Sequence, residues 1–188
     1  RYSGIAGRQA VAQSAYPEAA RHFRAALSAR EGQELDDEMA ELLVYLGRAA
    51  QSNDDVAEAW RSLRQAFDYY ARAGNIARAV DVAYFAGSDL ELTRPSQAQL
   101  LERALALVDE GSEGYGRLNA ALGQSLGMMG QVELADQAFA RARDVAERLK
   151  LPALELDVLR LSHYVIGFQM RLDEAIEIGD RTIALARQ

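Results

Sequence analysis

Apolar residues recur at intervals of three and four along this chain, and no stretch alternates apolar with polar over the length of a strand. That period belongs to helices that bury one face. With the punctuation included it predicts about ten helices: Tyr2–Ala15, Pro17–Arg30, Leu35–Ser52, Asp54–Ala73, Ile76–Gly87, Ser96–Asp109, Glu113–Met129, Val132–Lys150, Ala153–Gln169 and Leu172–Gln188. Pro17, Pro95 and Pro152 fall where a first helical turn tolerates a missing N–H. Gly74-Asn75 and Gly130 supply turns that end a helix, and Asn53 is placed to cap the helix carrying Trp60. Ser88–Arg94 and Gly111–Gly116 read as irregular.

The pattern also repeats at long range. In the second helix of each pair, Ala26, Ala66, Ala104, Ala142 and Thr182 recur at steps of 40, 38, 38 and 40 residues. Seven residues upstream, Ala19, Ala59, Gln97, Ala135 and Ala175 form a parallel row, and Phe23, Leu63, Leu101, Phe139 and Gly179 lie between the two. In the first helices Gly7, Gly47, Gly87 and Gly123 recur, with His163 in the fifth slot. Small residues let two helix backbones approach, and a bulky neighbour fills the groove. One such pair cannot bury its own apolar face, so stacked copies must share a core. The expected fold is all-α, a right-handed superhelical solenoid of about five helix pairs forming one domain over 1–188.

These residues resemble the tetratricopeptide repeat (TPR). Leu122-Gly123, Leu126, Gly130-Gln131-Val132, Ala135, Phe139 and Ala142 make the clearest copy, and Leu46-Gly47, Ala50, Asp55-Val56, Ala59, Leu63 and Ala66 the next. The first copy runs Gly7, Ala10, Tyr16-Pro17-Glu18-Ala19, Phe23, Ala26-Leu27. The period, about 39 residues, is longer than the 34 of that family. A long period of this kind is similar to the repeat regions of bacterial signal-transduction ATPases, including LuxR-type activators like the maltose-regulon activator and ATPase–cyclase fusions. The stretch from Ala6 to Ala12 and from Ala19 to Phe23 is similar to the first repeat after the ATPase in such proteins. The resemblance implies an interaction or sensor arm of a multidomain transcriptional or signalling regulator that gates a neighbouring domain. With no initiator methionine and a helical pattern running to Gln188, the chain reads as a piece of a longer protein.

Composition narrows the chemistry. The formal net charge is −7, which disfavours direct contact with nucleic acid, where phosphates call for a basic stripe. Lys150 is the one lysine among 21 basic residues. Without cysteine there is neither a disulfide nor a thiolate site. The lack of cysteine is compatible with a cytoplasmic setting, which is the expectation, and no apolar run reaches membrane-span length.

No reacting constellation emerges, and the chain reads as non-catalytic, with no cofactor and no metal. His22 and His163 sit on different copies and lack the clustered partners that zinc requires; His163 reads as a packing residue between helices. Gly111-Ser112-Glu113-Gly114-Tyr115-Gly116 follows a helix and lacks the lysine of a phosphate loop, so it reads as a linker. Asp36-Asp37 and Asp54-Asp55 open predicted helices, where carboxylates complement the dipole and read as caps. Trp60, Phe67 and Tyr70 share one helix face and read as packing. Met128-Met129 reads as a packed turn.

The functional expectation rests on the concave side that first helices line in TPR-like stacks. Local alignment puts Arg8, Glu41, Val44, Arg48, Tyr84, Arg117, Gln124, Arg160, Tyr164 and Phe168 there. Arginines bind carboxylates through two hydrogen bonds at once, so the groove would take a protein or peptide segment, acidic or C-terminal. The paired lysines and asparagines of the chaperone-tail clamp are absent. The alternative is a small-molecule inducer sensor in which Tyr84, Tyr164 and Phe168 stack on the ligand. Exposed terminal repeats would also favour self-association.

Overall fold

The computed structural model describes residues 2–88 and 95–186. Among them are ten helices: α1 Tyr2–Ala12, α2 Tyr16–Ser28, α3 Asp37–Gln51, α4 Val56–Arg72, α5 Ile76–Gly87, α6 Pro95–Leu105, α7 Glu113–Met128, α8 Val132–Leu149, α9 Pro152–Phe168 and α10 Leu172–Ala186. The described residues contain no strand. Each helix falls where the apolar period put it, with ends shifted by up to four residues. Of the stretch Gly111–Gly116 expected to be irregular, Glu113–Gly116 form the first turn of α7, because Ser112 caps it by accepting from Tyr115 N–H at 3.1 Å. Of Ser88–Arg94, residues 89–94 lie outside the described residues.

The caps correct one expectation. Asp55, not Asn53, caps the helix carrying Trp60, its carboxylate accepting from Glu58 N–H at 3.1 Å. Asp36 caps α3 in the same way, accepting from Met39 N–H at 2.9 Å. The turn inside a pair is also repeated. Ser14, Asp54, Gly130 and Met170 all adopt left-handed φ, between 57° and 77°. After each of them the next N–H reaches back to a carbonyl five residues earlier, as Gln131 does to Leu126 at 3.0 Å.

The chain divides into two compact units, Arg1–Val82 and Ala83–Gln188. In the first, Phe23 is fully buried among Ala10, Ala19, Ala20, Leu42 and Leu46. It stacks on Tyr45 with ring centroids 5.4 Å apart, which joins the first pair to the second. Arg24 of α2 and Glu58 of α4 reinforce that join through a two-pronged ion pair, 2.6 Å at its shorter contact. Phe67 and Tyr70 are buried and Trp60 half-buried, as packing residues should be. In the second unit Leu101, Leu118, Phe139, Val145, Val158 and Leu161 form the interior, each no more than 2% exposed.

The repeated small residues act as expected. A Cβ added at Gly7 would lie 2.6 Å from the Phe23 ring, at Gly47 2.6 Å from Leu63, at Gly87 2.6 Å from Leu101, and at Gly123 2.9 Å from Phe139. Each first-helix glycine therefore receives the bulky residue of its own second helix. In the fifth pair the sizes are exchanged: the His163 ring lies 3.6 Å from where a Cβ of Gly179 would be. One large and one small residue fill the crossing in every copy, whichever helix supplies which.

Candidate functional site

In the second unit the expected groove residues of α5, α7 and α9 converge. The Tyr84 hydroxyl donates to Asp157 Oδ2, and the Arg117 guanidinium lies over the Tyr84 ring, 4.6 Å from its centroid. Arg160 Nη2 donates to the other carboxylate oxygen of Asp157 at 2.9 Å. Burial first, and then the Asp157 carboxylate, push the Tyr84 phenol up to about 12. Two arginines thus flank one carboxylate and one neutral phenol. Asp157 was missed in the sequence, although it stands forty residues after Arg117 in the row that also holds Glu41.

Two turns along α7 from Arg117, on the same face, Gln124 is 2% exposed, and neither its Oε1 nor its Nε2 has a hydrogen-bond partner. The Ser125 hydroxyl and the Asn119 Oδ1 on the same helix are likewise buried without one. A buried amide that makes no hydrogen bond costs the fold about 1–3 kcal/mol. Farther along α9, Tyr164 and Phe168 are 44% and 61% exposed.

In the first unit Arg8 and Glu41 line one cavity, and Val44 and Arg48 are not part of its lining. Arg8 is exposed and lies over the Tyr45 ring, 5.9 Å from its centroid. Glu41 is half-buried and accepts from Tyr70 Oη at 3.1 Å and from Arg78. Burial pushes the Tyr70 phenol above its ordinary value, Arg78 opposes this and Glu41 adds to it. Arg48 is exposed. Val44 is 2% exposed; where the alignment placed it on an open surface, the structure puts it in the interior. Between α1, α3 and the end of α2 lies a cavity of about 530 Å³, lined by Arg8, Arg30, Glu38, Glu41, Leu42 and Tyr45 among others.

His163, expected as a packing residue, is partly exposed; its Nδ1 lies 2.9 Å from the Ala175 carbonyl. Among the described residues no group of three His, Cys, Asp or Glu side chains could hold a metal, and no helix is long and apolar enough to cross a membrane.

No family model matches the sequence, and no curated protein does. The fold is nonetheless shared. The crystal structure of Rap protein complexed with competence and sporulation factor is similar, with a TM-score of 0.67 at 20% sequence identity. The similarity covers 99% of this chain and 53% of that one, so the chain spans about half the length of that neighbour. This is a TPR-like helical-repeat fold. At that identity the likeness carries the architecture alone.

Proposed function

We propose that this chain is a non-catalytic protein–protein interaction module that takes up an acidic or C-terminal peptide segment against α7 and α9. The observation that carries the reading is the buried, unpartnered Gln124 amide, two turns along α7 from the Arg117 guanidinium that lies over Tyr84. An incoming main chain offers an amide both a donor and an acceptor, and a carboxylate suits the flanking guanidinium groups. A repeat protein of the same fold, Rap protein, holds competence and sporulation factor as a complex. The interaction arm of a multidomain bacterial regulator, working in the cytoplasm, is the setting that the sequence resemblance favours.

The test is a display library of peptides with free C-termini, selected on the intact chain. Acidic sequences should be enriched, and fluorescence anisotropy should show their binding lost in Arg117→Glu and Arg160→Glu while the far-ultraviolet circular dichroism stays unchanged. Binding that survives both reversals sinks the groove assignment.

One observation favours a second reading, a small-molecule sensor: the 530 Å³ cavity in the first unit matches a metabolite in size and pairs Arg8 with the Tyr45 ring. A thermal-shift screen of metabolites should then give a saturable rise that Tyr45→Ala abolishes. A flat screen counts against it.

A further inference from the structure

We propose that Asp157 is a built-in competitor at the α7–α9 site: its carboxylate takes the place that a partner's carboxylate would take on Arg160 and Tyr84, so an acidic segment binds by exchanging with it. This rests on the reading of the site as a seat for an acidic or C-terminal segment. Asp157 receives one hydrogen bond from Arg160 Nη2, at 2.9 Å on Oδ1, and another from the Tyr84 hydroxyl on Oδ2. Both donors suited to an incoming carboxylate are thus already turned onto one that belongs to the chain. A further cation, Arg117, lies over the face of the same Tyr84 ring.

The pair that must open is of a kind that opens easily. Asp157 and Arg160 stand one turn apart on α9, and the arginine side chain, 57% exposed, spends a single N–H on the carboxylate. A within-helix ion pair in reach of water is weak, because solvent screens it and both side chains give up rotamer freedom to make it. Turning Arg160 aside moves no backbone. A partner's carboxylate can take two guanidinium N–H groups at once, which is the stronger geometry. Exchange therefore replaces a one-pronged contact by a two-pronged one, while the Asp157 side chain, 29% exposed, turns toward water.

The first unit holds a tyrosine, a carboxylate and an arginine in a different arrangement. Glu41 of α3 accepts from the Tyr70 hydroxyl and from Arg78, and the Arg78 guanidinium lies over the Tyr70 ring, 5.5 Å from its centroid. There the arginine comes from another helix, α5, and also stands 3.9 Å from Asp81. Releasing it would undo a tie between helices. Glu41 and Asp157 share one row of the repeat. What differs is the source of the arginine, and only at Asp157 does it come from the carboxylate's own helix.

Fluorescence anisotropy reads the exchange, with an acidic peptide enriched in the display selection as the probe and the same peptide amidated at its C-terminus beside it. Asp157→Asn keeps the size of the side chain and should keep the circular dichroism of the parent. It leaves both donors a weaker, neutral acceptor and removes a like charge, so the free-acid peptide should bind on the order of tenfold tighter. Competition also couples the two residues. Arg160→Gln should cost more affinity in the Asp157→Asn background than in the parent, which a merely structural role for Asp157 would not produce. A gain lost on amidation puts the exchanging carboxylate at the chain end, and a gain retained puts it on a side chain; both uphold exchange. Two outcomes overturn the proposal while the peptide still binds the parent: Asp157→Asn that binds no more tightly, or an Arg160→Gln loss that is equal in both backgrounds. A parent that binds no acidic peptide, or an Arg117→Glu variant that binds it undiminished, overturns the reading of the site and the exchange with it.

Discussion

The exchange of sizes between His163 and Gly179 shows what each helix crossing requires: a total volume, not a residue type at a given position. Gly47→Leu should therefore destabilise the chain by about 1–3 kcal/mol through overpacking against Leu63. Combining it with Leu63→Ala should recover at least about 1 kcal/mol relative to the sum of the two single changes. Urea denaturation measures this, and strict additivity would refute the shared-volume account. Tyr84 gives a second prediction at this scale. Its phenol ionises near 12 in the folded chain against an ordinary value of 10.0. Below pH 10 both folded and unfolded phenols are neutral, and the contribution to stability is complete. As pH rises from 10 to 12 the unfolded chain ionises first, and the contribution is lost. Absorbance titration should show late-ionising tyrosines whose amplitude near pH 12 falls by one in Tyr84→Phe; parallel titration curves in the two proteins would contradict this.

At the scale of the element, α7 is the least self-sufficient helix and the most dependent on its neighbours. Glycine at 116, 123 and 127 weakens it intrinsically, yet each permits a contact that a Cβ would block, with Leu154, Phe139 and Val165 respectively. It also buries Asn119, Gln124 and Ser125. Replacing the Gln124 amide by an apolar side chain of similar length should raise stability and damage function together. Gln124→Met should gain about 1–2 kcal/mol in denaturant unfolding and lose most of its peptide binding. A variant that gains stability with binding intact would separate Gln124 from the site. Most helix positions were legible in the periodicity, because burial of one face is written at every third or fourth residue. The acidic pairs at helix starts were legible as caps too, but not which residue of the Asn53-Asp54-Asp55 run would cap. Asp54 takes the left-handed turn and leaves Asp55 to cap, an assignment that depends on backbone dihedrals and not on residue type.

At the scale of the whole molecule, the net charge of −7 opposes association with polyanions at every approach distance within a Debye length. A fluorescent DNA duplex at low salt should show no anisotropy change with this chain; saturable binding that weakens with added salt would overturn the expectation. The candidate site was legible only in part. Row alignment places Arg117, Arg160 and Tyr84 on one side of first helices, and the structure sets Tyr84 and Arg160 on Asp157 and Arg117 over the Tyr84 ring. Val44 was misplaced because an alignment row fixes a direction around a helix, while exposure depends on what packs there.

The spacing of small and large residues by itself determined that the chain forms helix pairs which nest through a bulky side chain over a glycine. The reason is steric, since only one pairing of volumes fills the crossing, and a covalent period repeats it. Which polar groups lose water and which arginine finds a carboxylate were decided only in the tertiary structure. Desolvation and ion pairing depend on distances between helices far apart in the chain, and no local pattern encodes them.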